Sequence, residues 1–186
     1  MIELRHDLSP ERIFLTGEPG CGKTTVMKRV AESLTLCGLK IGGVMSIENR
    51  DAGRRTGFSL EDLMTHETGM LAGIGFDGGP RVGRYTVDIL DLDRIGAQAV
   101  QRATKEAEVI LIDELGPMEL YSSRFIEAVR VALRTQKHVL ATVHKRASHA
   151  LIVEVRANPA HALVEVTGAN RDELPAQIIE RIMSGK

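Results

Sequence analysis

Eight residues near the start of the chain have the types and the spacing that hold a polyphosphate. In chain order they are Gly17, Glu18, Pro19, Gly20, Cys21, Gly22, Lys23 and Thr24. Glycines let the backbone wrap closely around a phosphate with its N–H groups pointing inward, and a following helix N-terminus adds to the attraction. Lys23 would reach the β- and γ-phosphates, and the Thr24 hydroxyl would bind Mg²⁺. The pattern predicts a nucleotide-binding phosphate loop, or P-loop.

A second pair of chemically useful residues follows the apolar run at 109–112. A carboxylate at the carboxyl end of a buried parallel strand lies where such sheets bind their ligands. We therefore expect Asp113 to hold Mg²⁺ through its water, and Glu114 to orient and deprotonate a water that attacks the γ-phosphate. The alternative is a solvated acidic pair that ends a core strand, a reading that would be favoured if the P-loop were absent.

The elements that position these residues alternate between strand and helix, as short apolar runs and amphipathic spacing indicate. The expected strands are 12–16, 40–47, 109–112, 138–143 and 163–166. The expected helices are 23–36, 97–107, 122–134, 148–156 and a last one that Asn170 and Glu173 cap and that ends near Met183. Strands joined by helices run parallel. The expected fold is α/β, a RecA-like P-loop NTPase with a mainly parallel sheet and helices on both faces.

The stretch from about Glu48 to Asp88 interrupts this alternation. It is rich in glycine and arginine, and only 56–63 and 82–88 have strand character. It is too small and too poor in apolar residues to build its own core. We expect an insertion of short strands and loops near the sheet, within a single domain that spans residues 1–186.

Other polar residues could complete the site. Thr142 and His144 end the strand that follows Asp113, where they could sense the γ-phosphate or simply form a surface loop. Arginines of the insertion could fork onto phosphate oxygens and stabilise charge in the transition state. Arg54 and Arg84 are the first choices, because glycines next to them would let a loop come close.

Composition excludes several classes of protein. The 186 residues include 24 Lys plus Arg and 25 Asp plus Glu, a formal charge of −1, which argues against a nucleic-acid coat or a polybasic membrane binder. Aromatic residues make up 3% of the chain, too few to favour a site in which aromatic side chains stack on nucleic-acid bases. No apolar run approaches a membrane span, and residues 1–14 lack the apolar core of a signal peptide. We therefore expect no membrane and no nucleic-acid partner.

The two cysteines cannot form a disulfide framework or a four-ligand zinc site by themselves, which fits a reducing compartment. Cys21 is expected to be a small tolerated residue of the phosphate loop, and Cys37 a core residue at a helix end. The expected protein is cytoplasmic and monomeric.

Three groups of segments resemble the small nucleoside-triphosphatases of the THEP1 family. They are FLTGEPGCGKTT, the insertion's GRRTGF and RVGRYTVD, and LIDELGPMEL. The resemblance implies a Mg²⁺-dependent hydrolase that cleaves ATP, GTP, CTP and other nucleoside triphosphates to diphosphate and phosphate with broad base tolerance. Two departures, Arg84 where lysine is common and Thr86 where glycine is common, leave the role of Arg84 open. Besides the P-loop, the resemblance implies a second nucleotide-contacting stretch: Val109, Ile110, Leu111, Ile112, Asp113, Glu114, Leu115 and Gly116.

Two other functions stay open from the residues alone. A P-loop kinase for nucleosides or small molecules would use the Gly/Arg-rich insertion as a lid that shields the phosphoryl group from water. A nucleotide-gated module that binds RNA or a protein would use slow hydrolysis as a timer. Glu114 beside the metal carboxylate favours hydrolysis over the kinase, and the formal charge of −1 disfavours nonspecific nucleic-acid binding by a gated module, although a local arginine patch could still bind weakly.

Overall fold

One mixed β-sheet of nine strands holds together residues 10–75 and 77–184, the ranges that the computed structural model describes. The expected lack of a signal peptide concerns mainly residues 1–9, which lie outside these ranges. Within the described ranges, no helix is both long enough and apolar enough to cross a membrane.

Strands and helices alternate over most of the chain, as the hydrophobic pattern predicts. The strands are β1 (Arg12–Thr16), β2 (Ile41–Asp51), β3 (Arg54–Asp62), β4 (Thr68–Gly73), β5 (Arg81–Val82), β6 (Tyr85–Val87), β7 (Val109–Leu115), β8 (His138–Val143) and β9 (Ala162–Glu165). The helices are α1 (Lys23–Leu36), α2 (Ile89–Asp91), α3 (Gln98–Glu106), α4 (Ser123–Arg134), α5 (Ala150–Ala157) and α6 (Leu174–Ser184). A π-helical segment, Leu92–Ala97, joins α2 to α3, and a 3₁₀ turn, Glu119–Tyr121, precedes α4.

The strand order across the sheet is β5-β6-β4-β3-β2-β7-β8-β1-β9. Strands β2, β7, β8, β1 and β9 pair in parallel, and β3, β4, β6 and β5 continue the sheet by antiparallel pairs. Strand β8 therefore separates β1, which leads into the P-loop, from β7, which carries the two carboxylates. This arrangement confirms the expected α/β fold of the P-loop NTPases and brings the ends of β1 and β7 to one edge of the sheet.

Apolar cores lie on both faces of the sheet, and β7 contributes to both. Val109 and Leu111 pack with α1 and α6, whereas Ile110 and Ile112 pack with α3, α4 and α5. Burying a side chain of this kind contributes about 1.5–3 kcal/mol, so four consecutive ones hold the strand firmly in register. The register of β7 in turn fixes where Asp113 lies.

The segment expected as an insertion near the sheet is instead part of the sheet. Strand β2 continues past the expected end at Ile47 as far as Asp51, and then pairs back with β3 over its second half. Ala52 and Gly53, both with positive φ, form the two-residue turn between them. We refer to β2, β3 and this turn as the β2–β3 hairpin. The long hairpin is stable because β3 forms backbone hydrogen bonds to β2, and β2 is itself a strand of the sheet.

Two local expectations were wrong. Helix α6 begins at Leu174, and the Asn170 side chain does not cap it: it accepts from the Thr167 N–H and donates to the Glu165 carbonyl, closing the turn after β9. Cys37 is exposed and does not belong to the core, because α1 ends there and Gly38 turns the chain with φ +84°.

Candidate active site

The P-loop links β1 to α1 through backbone conformations that favour glycine. Gly17 has φ +145°, and a Cβ there would lie 2.6 Å from the Val166 carbonyl oxygen, so a side chain has no room. Gly22 has φ +111° immediately before the first residue of α1. The chain can therefore turn tightly from the buried strand into the helix, with the first N–H groups of α1 at the mouth of a cavity.

Lys23 folds its side chain back across the loop that precedes it. Its Nζ donates to the carbonyl oxygens of Gly17, at 3.2 Å, and Glu18, at 3.4 Å. These neutral acceptors are weaker partners for an ammonium than phosphate oxygens, since charge-assisted hydrogen bonds are roughly twice as strong. The loop thus holds Lys23 beside the place where a phosphate chain would bind.

Asp113 is the buried centre of a short hydrogen-bond chain. Thr24 Oγ1 donates to its Oδ2 at 2.8 Å, and Thr142 Oγ1 donates to its Oδ1 at 2.5 Å. Asp113 is only 2% exposed, and this burial raises the pKa of its carboxyl, while the hydrogen bonds from Thr142 and Thr24 lower it in part. The first turn of α1 and the ends of β7 and β8 are therefore tied together at one carboxylate.

Thr142 does not lie in a surface loop, one of the two alternatives that the sequence left open, and a contact with the γ-phosphate stays a prediction. It is fully buried at the end of β8, and its hydroxyl is used on Asp113. The side chain orients the Asp113 carboxylate from the side opposite Thr24. No feature of the apolar run before Asp113 predicts the hydrogen bond from Thr142.

The residues present fit a magnesium ion bound together with phosphates. Thr24 and Asp113 bring two oxygen donors together, and Mg²⁺ at nucleotide sites takes one or two protein ligands besides water and phosphate oxygens. In the described part of the chain, no group of three or more His, Cys, Asp or Glu could hold a metal alone.

Glu114 lies on the cavity wall next to this hydrogen-bond chain. Burial raises the pKa of its carboxyl; Lys23 nearby opposes the rise, and the Asp113 charge adds to it. A glutamate whose pKa is raised is a better proton acceptor than an exposed one. The peptide bond between Asp113 and Glu114 is cis.

Glu119 is a buried acid that the analysis of the sequence did not single out. The residue is 5% exposed, and its Oε2 accepts a hydrogen bond of 3.2 Å from the Gly116 N–H. Burial is the main reason that the pKa of Glu119 rises to about 8, and the charges of Glu114 and Asp113 add to the effect. A Cβ at Gly116 would lie 3.0 Å from the Glu119 oxygen, so the glycine makes room for the acid. The only signal in the sequence was the run Gly-Pro-Met-Glu-Leu itself.

Glu119→Gln should flatten the pH dependence of the stability of the metal-free protein. The carboxyl titrates near 4.5 when unfolded and near about 8 when folded, so its stabilising contribution is complete below the lower value. It is lost as the pH rises through the upper one, at up to about 1.4 kcal/mol per pH unit. The free energy of unfolding, measured with a denaturant in EDTA at several pH values across this window, should fall less steeply with pH for the variant than for the wild type. If the free energies of unfolding of the wild type and the variant depended equally on pH, Glu119 would already be ionised in the folded protein.

The P-loop, Glu114 and the β2–β3 hairpin line one cavity of about 760 Å³. Its walls comprise Gly17, Glu18, Pro19, Gly20, Gly22, Lys23, Thr24, Thr25, Lys28, Ser46, Ile47, Glu48, Arg55, Phe58, Glu114, His144, Lys145 and Arg146. The lining residues of the P-loop and of the hairpin come from opposite sides of β7 and β8 in the strand order. The cavity has room for a nucleotide's phosphate chain together with the groups that would act on it.

The segment after β8 closes over the P-loop. Glu18 forms ion pairs with Lys145, at 3.1 Å, and with Arg146, at 3.9 Å. His144 lies in the cavity wall, where partial burial lowers the pKa of its ring, with a further contribution from the Lys23 charge. The neutral imidazole can therefore hydrogen-bond to a ligand there, whereas the basic pair beside it adds positive charge.

Among the arginines of the segment 48–88, Arg55 lines the cavity, whereas the two that were chosen from the sequence do not. Arg54 is exposed and is absent from the cavity wall. Arg84 is exposed as well; its Nη2 donates to the Arg55 carbonyl oxygen, at 2.6 Å, and to the Tyr85 hydroxyl. Successive residues of a strand point to opposite faces, which separates Arg54 from Arg55.

The β7 residues before Asp113 do not line the cavity. Val109–Ile112 are fully buried in the two cores, and Leu115 is as well. Their side chains therefore do not face the cavity, and nucleotide contact by this part of the stretch stays a prediction. Of the second stretch, Asp113 is hydrogen-bonded to Thr24 of the P-loop and Glu114 lines the cavity beside it, and the rest of the strand holds them there.

Known proteins resemble the chain over nearly its whole length. A family model described as NTPase matches residues 12–179. The nucleoside-triphosphatase THEP1 of Thermofilum pendens is 44% identical over 178 residues, which cover 95% of this chain and 98% of the relative. That of Methanosarcina barkeri is 45% identical over 171 residues, covering 91% and 96%.

Two solved structures have the same fold. The crystal structure of THEP1 from the hyperthermophile Aquifex aeolicus matches with a TM-score of 0.82 and 33% identity, covering 92% of this chain and 98% of that one. The solution structure of a human cancer-related nucleoside triphosphatase matches with a TM-score of 0.82 and 34% identity, covering 95% and 99%.

Proposed function

The chain belongs to the NTPase family of the THEP1 nucleoside-triphosphatases, and we propose that it hydrolyses ATP, GTP, CTP and other nucleoside triphosphates with Mg²⁺. The products are the nucleoside diphosphate and phosphate. The observation that carries this proposal is the placement of Glu114 on the wall of the cavity that the P-loop opens into, next to the Thr24–Asp113–Thr142 chain. A single catalytic domain suffices for this chemistry, because all of these residues come from one sheet edge.

We propose that the P-loop binds the phosphates before any chemistry takes place. The N–H groups at the start of α1 donate to phosphate oxygens, and Lys23 exchanges its two carbonyl partners for the β- and γ-phosphates. Thr24 and Asp113 would hold Mg²⁺, which neutralises charge on the β- and γ-oxygens when it is bound. Thr142 keeps the Asp113 carboxylate in orientation through its hydrogen bond.

In the hydrolytic step, Glu114 accepts a hydrogen bond from a water on the far side of the γ-phosphate and takes its proton as the water attacks. The new bond joins the water oxygen to the γ-phosphorus, and the bond to the bridging oxygen of the diphosphate breaks. Lys23 and the loop N–H groups stabilise the negative charge that moves onto the leaving diphosphate. Phosphate and the diphosphate then leave.

Broad base tolerance is proposed because aromatic side chains that could stack on a base are scarce in the cavity wall. Among the described residues that line the cavity, Phe58 alone is a Phe, Tyr or Trp, and it lies on the hairpin side. A stacked aromatic clamp that would select one base is therefore not part of this wall. The phosphates supply most of the recognition.

Phosphate release from the purified chain, with Mg²⁺ and no acceptor other than water, tests this function. A hydrolase releases phosphate steadily under these conditions. A kinase releases its phosphoryl group only as a phosphorylated acceptor, and a gated module turns over appreciably only when its RNA or protein partner is added. The last two outcomes would replace the proposed function.

A further inference from the structure

A salt bridge lies in the cavity wall on the side opposite the P-loop. Glu48, on the part of β2 that pairs only with β3, and Arg55, near the start of β3, both line the cavity together with Lys23 and Glu114. The Nη2 of Arg55 is paired with the Oε2 of Glu48. The hydrolytic mechanism described above uses neither of these charges.

The strand order places this salt bridge on the γ-phosphate side of the site. The phosphate chain extends from the P-loop after β1, and its γ end is acted on by Glu114 of β7. Strand β2 is the next strand beyond β7, on the side away from β1. In the proposed mechanism, residues of the β2–β3 hairpin that line the cavity would therefore lie on the Glu114 side of the γ-phosphate, away from the P-loop.

Glu48 has a second arginine partner, so it stays neutralised without Arg55. Arg50 Nε lies 2.5 Å from Glu48 Oε1, while Arg55 takes the other carboxylate oxygen. Two arginines on one glutamate leave a net positive charge at the cavity wall. Release of Arg55 would thus leave no unpaired carboxylate.

The backbone of Arg55 is held in place, while its side chain remains partly free. Arg84 donates to the Arg55 carbonyl oxygen at 2.6 Å, and the Arg55 guanidinium carbon is 5.4 Å from the centre of the Phe58 ring. Tyr85 packs edge-on against Phe58, with ring centres 5.4 Å apart. The Arg55 side chain is 44% exposed, so a change of rotamer exchanges only its contacts with Glu48, the Phe58 ring and Tyr85.

We propose that Arg55 is a catalytic residue, an arginine supplied by the same chain, which leaves Glu48 for the γ-phosphate of a bound nucleoside triphosphate. The proposal rests on the proposed function. The guanidinium keeps its proton throughout and forms hydrogen bonds to γ-phosphate oxygens while water attacks. Arginine is suited to this role because its planar fork matches phosphate geometry. Glu48 acts as the competitor that holds Arg55 away until a γ-phosphate arrives.

Arg55→Ala should lower kcat for ATP by about 10³-fold, the lower end of the effect of arginine fingers in related chemistry. Affinity for ADP, which has no γ-phosphate, should stay unchanged, whereas affinity for a non-hydrolysable ATP analogue should fall. Arg54→Ala is the matched control, since it removes the neighbouring exposed arginine, which does not line the cavity, and should leave both quantities unchanged. Thermal unfolding of each variant checks that the hairpin still folds.

Glu48→Gln separates this role from a purely structural salt bridge. Weakening the competitor should raise affinity for the ATP analogue by about two- to fivefold, the scale of an exposed ion pair. The two substitutions therefore act in opposite directions on the same measurement. If both variants lowered the unfolding temperature and the affinity together, or if Arg55→Ala kept normal kcat in an active protein, the inference would be overturned. Absence of phosphate release by the wild type would instead contradict the proposed function.

Discussion

Glu114→Gln should bind nucleotide normally and lose phosphate release by about 10²–10⁴-fold, the usual contribution of a general base. The amide has the size of the carboxylate and can still hydrogen-bond to water, but it cannot take the proton. The effect should be large because burial raises the pKa of Glu114 and makes the native carboxylate an effective base. Affinity for a fluorescent nucleotide and single-turnover phosphate release measure the two quantities separately.

The control for this substitution is Glu154→Gln. Glu154 is an exposed residue of α5 that pairs with Arg130, and it is absent from the cavity wall. The same chemical change there should leave turnover as in the wild type. Near-normal turnover of Glu114→Gln would remove Glu114 from the role of base and leave the metal and the P-loop to account for hydrolysis.

Lys23→Ala should weaken nucleoside triphosphate binding and also lower kcat, by about 10²–10³-fold for the catalytic step. In the proposed mechanism the ammonium would contact phosphate oxygens whose negative charge grows as the diphosphate leaves, and would stabilise the transition state more than the bound substrate. Lys23→Arg keeps the charge but not the compact geometry that fits between the loop carbonyls, and should recover only part of the activity.

Titration of nucleotide binding by calorimetry, together with steady-state kinetics, measures both effects of the Lys23 substitutions. Lys105→Ala serves as the control, because Lys105 is exposed on α3 and is absent from the cavity wall. Unchanged turnover of Lys23→Ala would contradict the assignment of the whole site, since no other residue of the P-loop carries a positive charge.

The part of the site that lies on the parallel strands could be predicted from the sequence. The run Val109–Ile112 is apolar on both faces, as only a fully buried strand is, and it leads directly to Asp113 and Glu114. The P-loop is a local pattern, and its conformation is dictated by its own glycines. In both places the chemistry follows from residues that are adjacent in the chain.

The remainder depends on pairing between distant segments, which a single sequence does not encode locally. Strand β2 looks complete at Ile47 because its polar second half is stabilised only by the ladder to β3. Arg55 enters the cavity, whereas Arg54 does not, because the register of that ladder decides which face each residue takes. The glycines next to Arg54 and Arg84 therefore do not predict which arginine lines the cavity.

The burial of polar side chains was also not predictable from the sequence. The sequence indicates only that Thr142 ends an apolar strand. Its hydroxyl nevertheless donates to the carboxylate of Asp113, 29 positions away in the chain. Glu119 would be expected in solvent, because glutamates are seldom buried. Its burial follows from the turn at Gly116, where the absence of a side chain leaves room for a carboxyl group.

The most direct test of the central claim is the rate of phosphate release from ATP, GTP, CTP and UTP by the purified protein, with Mg²⁺ and with EDTA in its place. Hydrolysis through the P-loop, Asp113 and Glu114 predicts release from all four at similar rates with Mg²⁺, and loss of release from each in EDTA. No release with Mg²⁺ in the absence of an added acceptor, or release that is unaffected by EDTA, would contradict it.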